Sequence, residues 1–265
     1  MLGFYFRRFI VSPLVPVSAF ILFIGMVFDS RFLYGDTMLP GTLYLFQYIS
    51  AVGSCSYFVP VVTVLTVCFV QYEITTKKAE LFLLYRSTPK QYSISGILAS
   101  AASGAVISFL AFIMFFIFCM IVGNEGDWVT YGNAGKTLVR LHELEGTWFE
   151  RIYSLPVLYF REIFIFLCNG MICPVIAFTI FSFTGNQYVA AILPFIWREG
   201  SKYIWQKPEL PEWMWIFDPS ELTLRGVARY FPDSGLSYLL IYVVLIMLIC
   251  GSITCYRMQR RRFYG

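Results

Sequence analysis

Residues 163–197 read IFIFLCNGMICPVIAFTIFSFTGNQYVAAILPFIW, without a single charge. A membrane-spanning helix needs about 20 predominantly apolar residues, so the run could be one long helix or a tight helical hairpin. Thr184-Gly185-Asn186-Gln187 interrupts it with turn chemistry. A break there predicts one helix over about 163–183 and a second over about 187–206. The second reaches full length only by running past Arg198, Glu199 and Lys202. Those charges are expected at the outer interface, where long side chains can snorkel.

The rest of the chain supports a membrane setting. It has 265 residues, 58% hydrophobic and 14% charged, whereas soluble domains run at about 25% charged. One soluble core could not bury so much apolar surface. Four further apolar stretches predict spans over about 10–28, 44–71, 91–122 and 236–256, six in all with the divided run. The first is read as a retained helix, because Asp29-Ser30-Arg31 is no small-residue cleavage site. The seven cysteines all fall in apolar stretches with no CxxC spacing, which reads as small buried side chains. The single histidine, His142, lies in a polar loop, so no metal site is expected.

Charge placement argues for the divided run. Arg7, Arg8, Lys77, Lys78, Arg86, Lys90, Arg257, Arg260, Arg261 and Arg262 lie in short segments that belong in the cytoplasm. Both termini on that side require an even number of spans. Only Glu73 and Glu80 among the 16 acids fall inside, giving an inner face of +8 and an outer face of −4. Residues 123–162 and 198–235 are then the large outer segments. Leu138, Leu141, Leu144, Trp148 and Ile152 recur there at helical spacing. Asp218-Pro219-Ser220-Glu221 reads as a helix start. Short helices at the outer interface are expected.

The inner loop within VQYEITTKKAELFLLYRSTPKQYSISGILAS, residues 70–100, carries the most information. It predicts a helix from about Thr75 to Tyr85, charged at its start and apolar at its end, stopped by Thr88-Pro89. A helix too apolar for water and too short to span needs a partner or the membrane surface. Glu73, Lys77-Lys78, Glu80 through Leu84, and Ser87-Thr88-Pro89 resemble the permease subunit of type-2 ABC exporters, the six-helix group of type V architecture. The resemblance covers the whole chain by architecture and residues 70–100 by sequence. Family members often carry Gly-Thr before the Leu-rich helix and Gly-Lys early in the third span. This chain has Lys78-Ala79 and Gly96-Ile97 instead.

The resemblance implies a single transmembrane domain over 1–265: an all-α integral membrane protein of the cell membrane. It has six transmembrane helices, an amphipathic N-terminal interfacial helix, a cytoplasmic coupling helix and short external helices before the last span. Both termini are cytoplasmic. The loop helix would be the coupling helix, docked in a groove of a separate ABC ATPase subunit present in two copies. Leu81, Phe82, Leu84 and Tyr85 would supply its buried contact. Lys77, Lys78 and Arg86 would orient it, with Glu73 and Glu80 beside it. ATP and Mg would belong to that partner, and this chain would hold no cofactor and bind no nucleic acid. A second copy or a related permease would complete the pore within the lipid.

Within the spans, Gly96, Ser100, Gly104 and Ser108 recur every fourth residue. Small residues let helices approach closely in lipid, so a tight interface is expected, within the subunit rather than between subunits. Gln47, Ser50, Ser54, Thr63, Thr66 and Asn169 could line a path or bond between helices. No charge is expected deep in a span, which argues against an ion-coupled carrier.

The function expected is a permease for an amphiphilic or hydrophobic cargo (a peptide, lipid-linked molecule or drug), exported at a partner's expense of ATP. The alternatives are an ATP-independent channel or accessory scaffold, and an intramembrane enzyme. The enzyme reading lacks GxSG, HExxH and an intramembrane histidine. GNAGKT at residues 132–137 imitates a nucleotide-binding loop. That loop needs Gly at 130, where Thr130 stands, and the stretch falls on the expected outer side. The chain itself is therefore expected not to be an enzyme.

Overall fold

The computed structural model describes residues 2–31, 55–76, 88–122, 155–205, 211 and 235–264. These form seven helices: α1 Leu2–Ile10, α2 Leu14–Arg31, α3 Cys55–Thr76, α4 Pro89–Val122, α5 Leu155–Thr184, α6 Gln187–Trp205 and α7 Gly235–Tyr264. Four of them, α3, α4, α5 and α7, are long and apolar enough to cross a membrane. The bent pair α1–α2 makes a fifth candidate span. The chain is a multi-pass helical membrane protein by helix length and hydropathy.

The helix ends follow from local chemistry. Between α1 and α2 the axis bends by 43°. Pro13 removes a backbone donor and pushes Ser12 out of the helical region. Ser12 then restarts the chain, accepting from the Leu14 N–H through its hydroxyl at 3.3 Å and from the Val15 N–H through its carbonyl at 3.0 Å. The span expected to end at 71 continues to Thr76. There the Thr75 and Thr76 hydroxyls donate back to the Gln71 and Tyr72 carbonyls, at 3.0 and 2.9 Å. The start of α4 is a reciprocal cap: the Gln91 N–H donates to the Thr88 hydroxyl at 3.2 Å, and the Thr88 N–H donates to Oε1 of Gln91 at 3.3 Å. Pro89 sits at the first helical position, where a missing N–H costs nothing.

The long run breaks at residues 185 and 186. Gly185 takes φ +65°, the left-handed conformation that ends a helix without strain only for glycine. Its N–H donates to the Phe181 carbonyl at 2.8 Å. Asn186 then caps α6, its Oδ1 accepting from the Tyr188 N–H at 2.9 Å.

Helix α5 is the centre of the bundle and packs against α3, α4, α6 and α7. Outward faces are apolar: Leu240, Ile241, Val244, Leu245, Leu248 and Ile249 run along the exposed side of α7. Buried positions include Ser18, Thr63, Thr66, Ser100, Ser103, Ser108 and Thr254. Apolar outside and hydroxyl inside is the reverse of a water-soluble bundle and suits a hydrocarbon solvent, where hydroxyls must bond internally. Ser18 and Thr66 do so between α2 and α3 at 2.5 Å, and the Ser93 hydroxyl donates to the Gly251 carbonyl across α4 and α7 at 2.6 Å.

Candidate functional site

One end of the bundle gathers both ends of the described chain. Tyr5 and Phe9 of α1, Ile74 near the end of α3, Tyr92 near the start of α4, Phe178 of α5 and Met258 of α7 share one buried cluster. Tyr5, Phe9, Tyr92 and Phe178 stack as a four-ring group, with Tyr5 edge-on to Tyr92 at 5.7 Å and to Phe178 at 6.3 Å. The Ser103 hydroxyl of α4 also donates to the Phe9 carbonyl at 3.3 Å. The N-terminal helix, expected as an interfacial element, is thus held by the bundle itself. Its alternation of aromatic and basic residues in LGFYFRRFI signals an amphipathic helix, yet only the partner rings on α4 and α5 show what its apolar side meets.

Charge concentrates at this end. Among the described side chains it carries Arg7, Arg8, Lys90, Arg257 and Arg260 against the single acid Glu73. Arg8 approaches Glu73 at 3.7 Å, both about half exposed. Arg257 lies over the Phe183 ring at 5.6 Å, which brings the α5–α6 turn to the same end. Of the docking residues expected from sequence, Glu73 stands in the last turn of α3. Lys77, Lys78, Glu80, Leu81, Phe82, Leu84, Tyr85 and Arg86 lie outside the described residues. Their flanks are fixed: the segment 77–87 leaves from Thr76 and returns at the capped Thr88.

The small-residue row faces α5. A Cβ on Gly96 would come within 2.0 Å of the Phe178 ring, and one on Gly104 within 2.0 Å of the Gly170 carbonyl oxygen. A Cβ on Gly170 would meet the Ser108 hydroxyl at 2.1 Å. Ser100 turns its hydroxyl to the Gly96 carbonyl at 2.7 Å. The absence of side chains at 96 and 104 therefore allows the backbones of α4 and α5 to meet, and allows Phe178 to reach α1. Of the path candidates, Gln47, Ser50 and Ser54 lie outside the described residues. Asn169 is half-buried and its side-chain amide donates to the Ile165 carbonyl at 3.2 Å.

The seam between α5 and α6 holds a buried charge that the sequence reading expected to be exposed. Arg198, expected at the outer interface, is buried, with 6% of its surface exposed. It lies within electrostatic reach of Cys173. Arg198 is eleven residues beyond the start of α6, and Cys173 eleven before the end of α5. At 1.5 Å per residue both stand about 16 Å along their helices from the turn. The physical reason is the stripe on α6. Ala190, Pro194, Arg198 and Ser201 face inward, while Ile192, Leu193, Ile196 and Ile204 face out. The helix presents its apolar side to the surroundings and carries the cation into the bundle. The signal was legible in the four-residue spacing of Ala190, Pro194 and Arg198 opposite isoleucines. Counting hydropathy along the chain cannot reveal it.

Among the described residues no group of three or more His, Cys, Asp and Glu could hold a metal ion. Comparison of the chain with protein-family models, curated proteins and solved structures gave no match.

Proposed function

We propose that the chain is the membrane-spanning permease subunit of an ATP-binding-cassette transporter. It would move an amphiphilic or hydrophobic cargo outward and draw its energy from a separate ATPase. One observation carries the reading. Two long helices, α3 and α4, end at Thr76 and at a doubly bonded Thr88–Gln91 cap, at the basic end beside the four-ring cluster. The segment between them includes Leu81, Phe82, Leu84 and Tyr85. The two helices that flank it would act as levers, carrying force applied to the segment into the bundle.

The same placement favours six crossings with both termini on the cytoplasmic face. Helices α5 and α7 both end at the basic end, so on this reading the chain crosses once between them. The 19 residues of α6, about 28 Å of helix, are long enough to do it. Nucleotide chemistry would reside wholly in the partner, with ATP and Mg, and the pore would be completed by a second copy or a related permease.

The test is reconstitution with the candidate ATPase in lipid discs. The native chain should copurify with it and stimulate ATP hydrolysis. L81D/L84D should remove both effects while leaving the chain monodisperse. Full stimulation by L81D/L84D would reject the docking role.

A further inference from the structure

We propose that the outward side of α7 binds an anionic phospholipid, its phosphate on Arg260 and its acyl chains along Ile241, Leu245, Ile249 and Ile253. Of the four long candidate spans α7 is the least buried, and its span runs from Ser237 to Arg260. Ile241, Leu245, Ile249 and Ile253 are all exposed, and exposed Tyr256 and Arg260 follow them toward the basic end. At about 100° per residue these six positions fall within about a third of the helix circumference. The apolar stripe and the cation therefore share one face, in the order in which a lipid presents its chains, its interface and its headgroup.

Tyrosine is enriched where hydrocarbon meets water, and exposed Tyr72, Tyr188 and Tyr256 stand near the basic ends of α3, α6 and α7. Arg260 lies over the Tyr256 ring at 5.1 Å. The ring holds the guanidinium on the outward face, so less freedom is lost when an anion binds. A guanidinium matches phosphate oxygens in pairs. Helix α7 contains no acid to compete for it, and Glu73 lies beside Arg8 of α1. Two neighbours show what is particular to Arg260. Arg257, about one turn earlier, lies instead over Phe183 of α5 at 5.6 Å. The outward stripe of α6 begins at Tyr188 and continues through Ile192 and Ile196, with no cation at its tyrosine end. An acidic protein surface would match the cation of α7 but not the apolar stripe below it. The proposal needs α7 to span the membrane and does not rest on the permease reading.

The full chain in detergent is titrated, under native mass spectrometry, with phosphatidylglycerol or with phosphatidylcholine of the same acyl chains. The first phosphatidylglycerol should bind about fivefold tighter, the gain of one basic residue near an anionic surface. Glycerol phosphate, which has the anion without the chains, should not bind. R260Q should remove the preference and R260K should keep part of it. Y256L, which removes the ring and leaves the cation, should weaken it. R7Q, at an exposed cation on α1 at the same end, should leave it unchanged. Arg260 and Tyr256 are both exposed, so these variants should stay monodisperse in size-exclusion chromatography.

Equal binding of the two lipids would overturn the site, as would a preference that survives R260Q. Equal losses in R7Q and R260Q would reduce the preference to diffuse charge and refute the site. Glycerol phosphate binding as tightly as phosphatidylglycerol would refute the role of the apolar stripe. A dimer that excludes phosphatidylglycerol and is lost in I249W would give the stripe to a second copy and end the lipid proposal. No ATPase enters these measurements, so this site and the docking role can fail separately.

Discussion

Helix α5 meets α4 on one side and α6 on the other, and the two seams use opposite chemistry. Toward α4 it offers Gly170 to Gly104, with the backbones in contact and no charge between them. Toward α6 it sets Cys173 within electrostatic reach of Arg198, a buried cation. In lipid the hydrophobic effect does not drive helices together, so dispersion at close approach must do so. The glycine seam maximises that term. The arginine seam works against it. The first seam holds the bundle by close backbone approach, and the second seats a charge inside it.

The sharpest way to break this contrast is at Gly104. The Cβ of G104A would meet a backbone carbonyl that cannot swing aside. Overpacking of this kind costs about 1–3 kcal/mol, and G104L should abolish the monodisperse folded protein altogether. Chemical unfolding in mixed micelles reads the first, and size-exclusion chromatography the second. An alanine tolerated at 104 without loss would mean that the helices are not in backbone contact.

At Gly96 the obstacle is a side chain, so the damage should be repairable. G96A alone should destabilise by about 1–3 kcal/mol, and G96A combined with F178L should recover much of it. A double-mutant cycle measures that coupling. Additive losses would show that Phe178 does not lie over Gly96. Because Phe178 also touches Tyr5 and Phe9, F178L by itself should loosen α1 and speed protease cleavage near residue 11.

The second seam should behave differently. R198M removes a buried cation and substitutes an apolar chain of similar length. Losing the hydrogen bonds of one side chain costs about 1 kcal/mol, so R198M should destabilise by about that much in the same unfolding assay. A much larger loss would show that the cation, not the close backbone approach, holds the bundle. The smallest effect belongs to Arg8 and Glu73. Their pair is about half exposed at 3.7 Å, and such bridges contribute about 0–1 kcal/mol. R8Q or E73Q should be near-silent in melting, and any effect should vanish at high salt.

What the sequence disclosed, and what it hid, follows the same division. The break at residues 184–187 was legible because Gly and Asn leave a local signature of turn and cap. The row of Gly96, Ser100, Gly104 and Ser108 was legible because its period matches one helix face. The partner of that row was not, since nothing at Gly170 or Pro174 names α4. The bend at Ser12–Pro13 falls inside an apolar run that reads as one helix by composition. The inward face of Arg198 was not read, because hydropathy averages around a helix and loses the face. The expected docking residues from Lys77 to Arg86, and the path candidates Gln47, Ser50 and Ser54, lie outside the described residues. For them the sequence reading stands as an expectation.

The proposed permease architecture requires α6 to cross the membrane. A chain without native cysteines, carrying either T184C or P211C, can be probed in sealed cells and in inverted vesicles with a membrane-impermeant maleimide. Both positions are exposed, before and beyond α6. T184C should label only in the inverted vesicles, and P211C only in intact cells. Labelling of both from the same face would make α6 a re-entrant or surface helix, and would contradict the six-crossing permease.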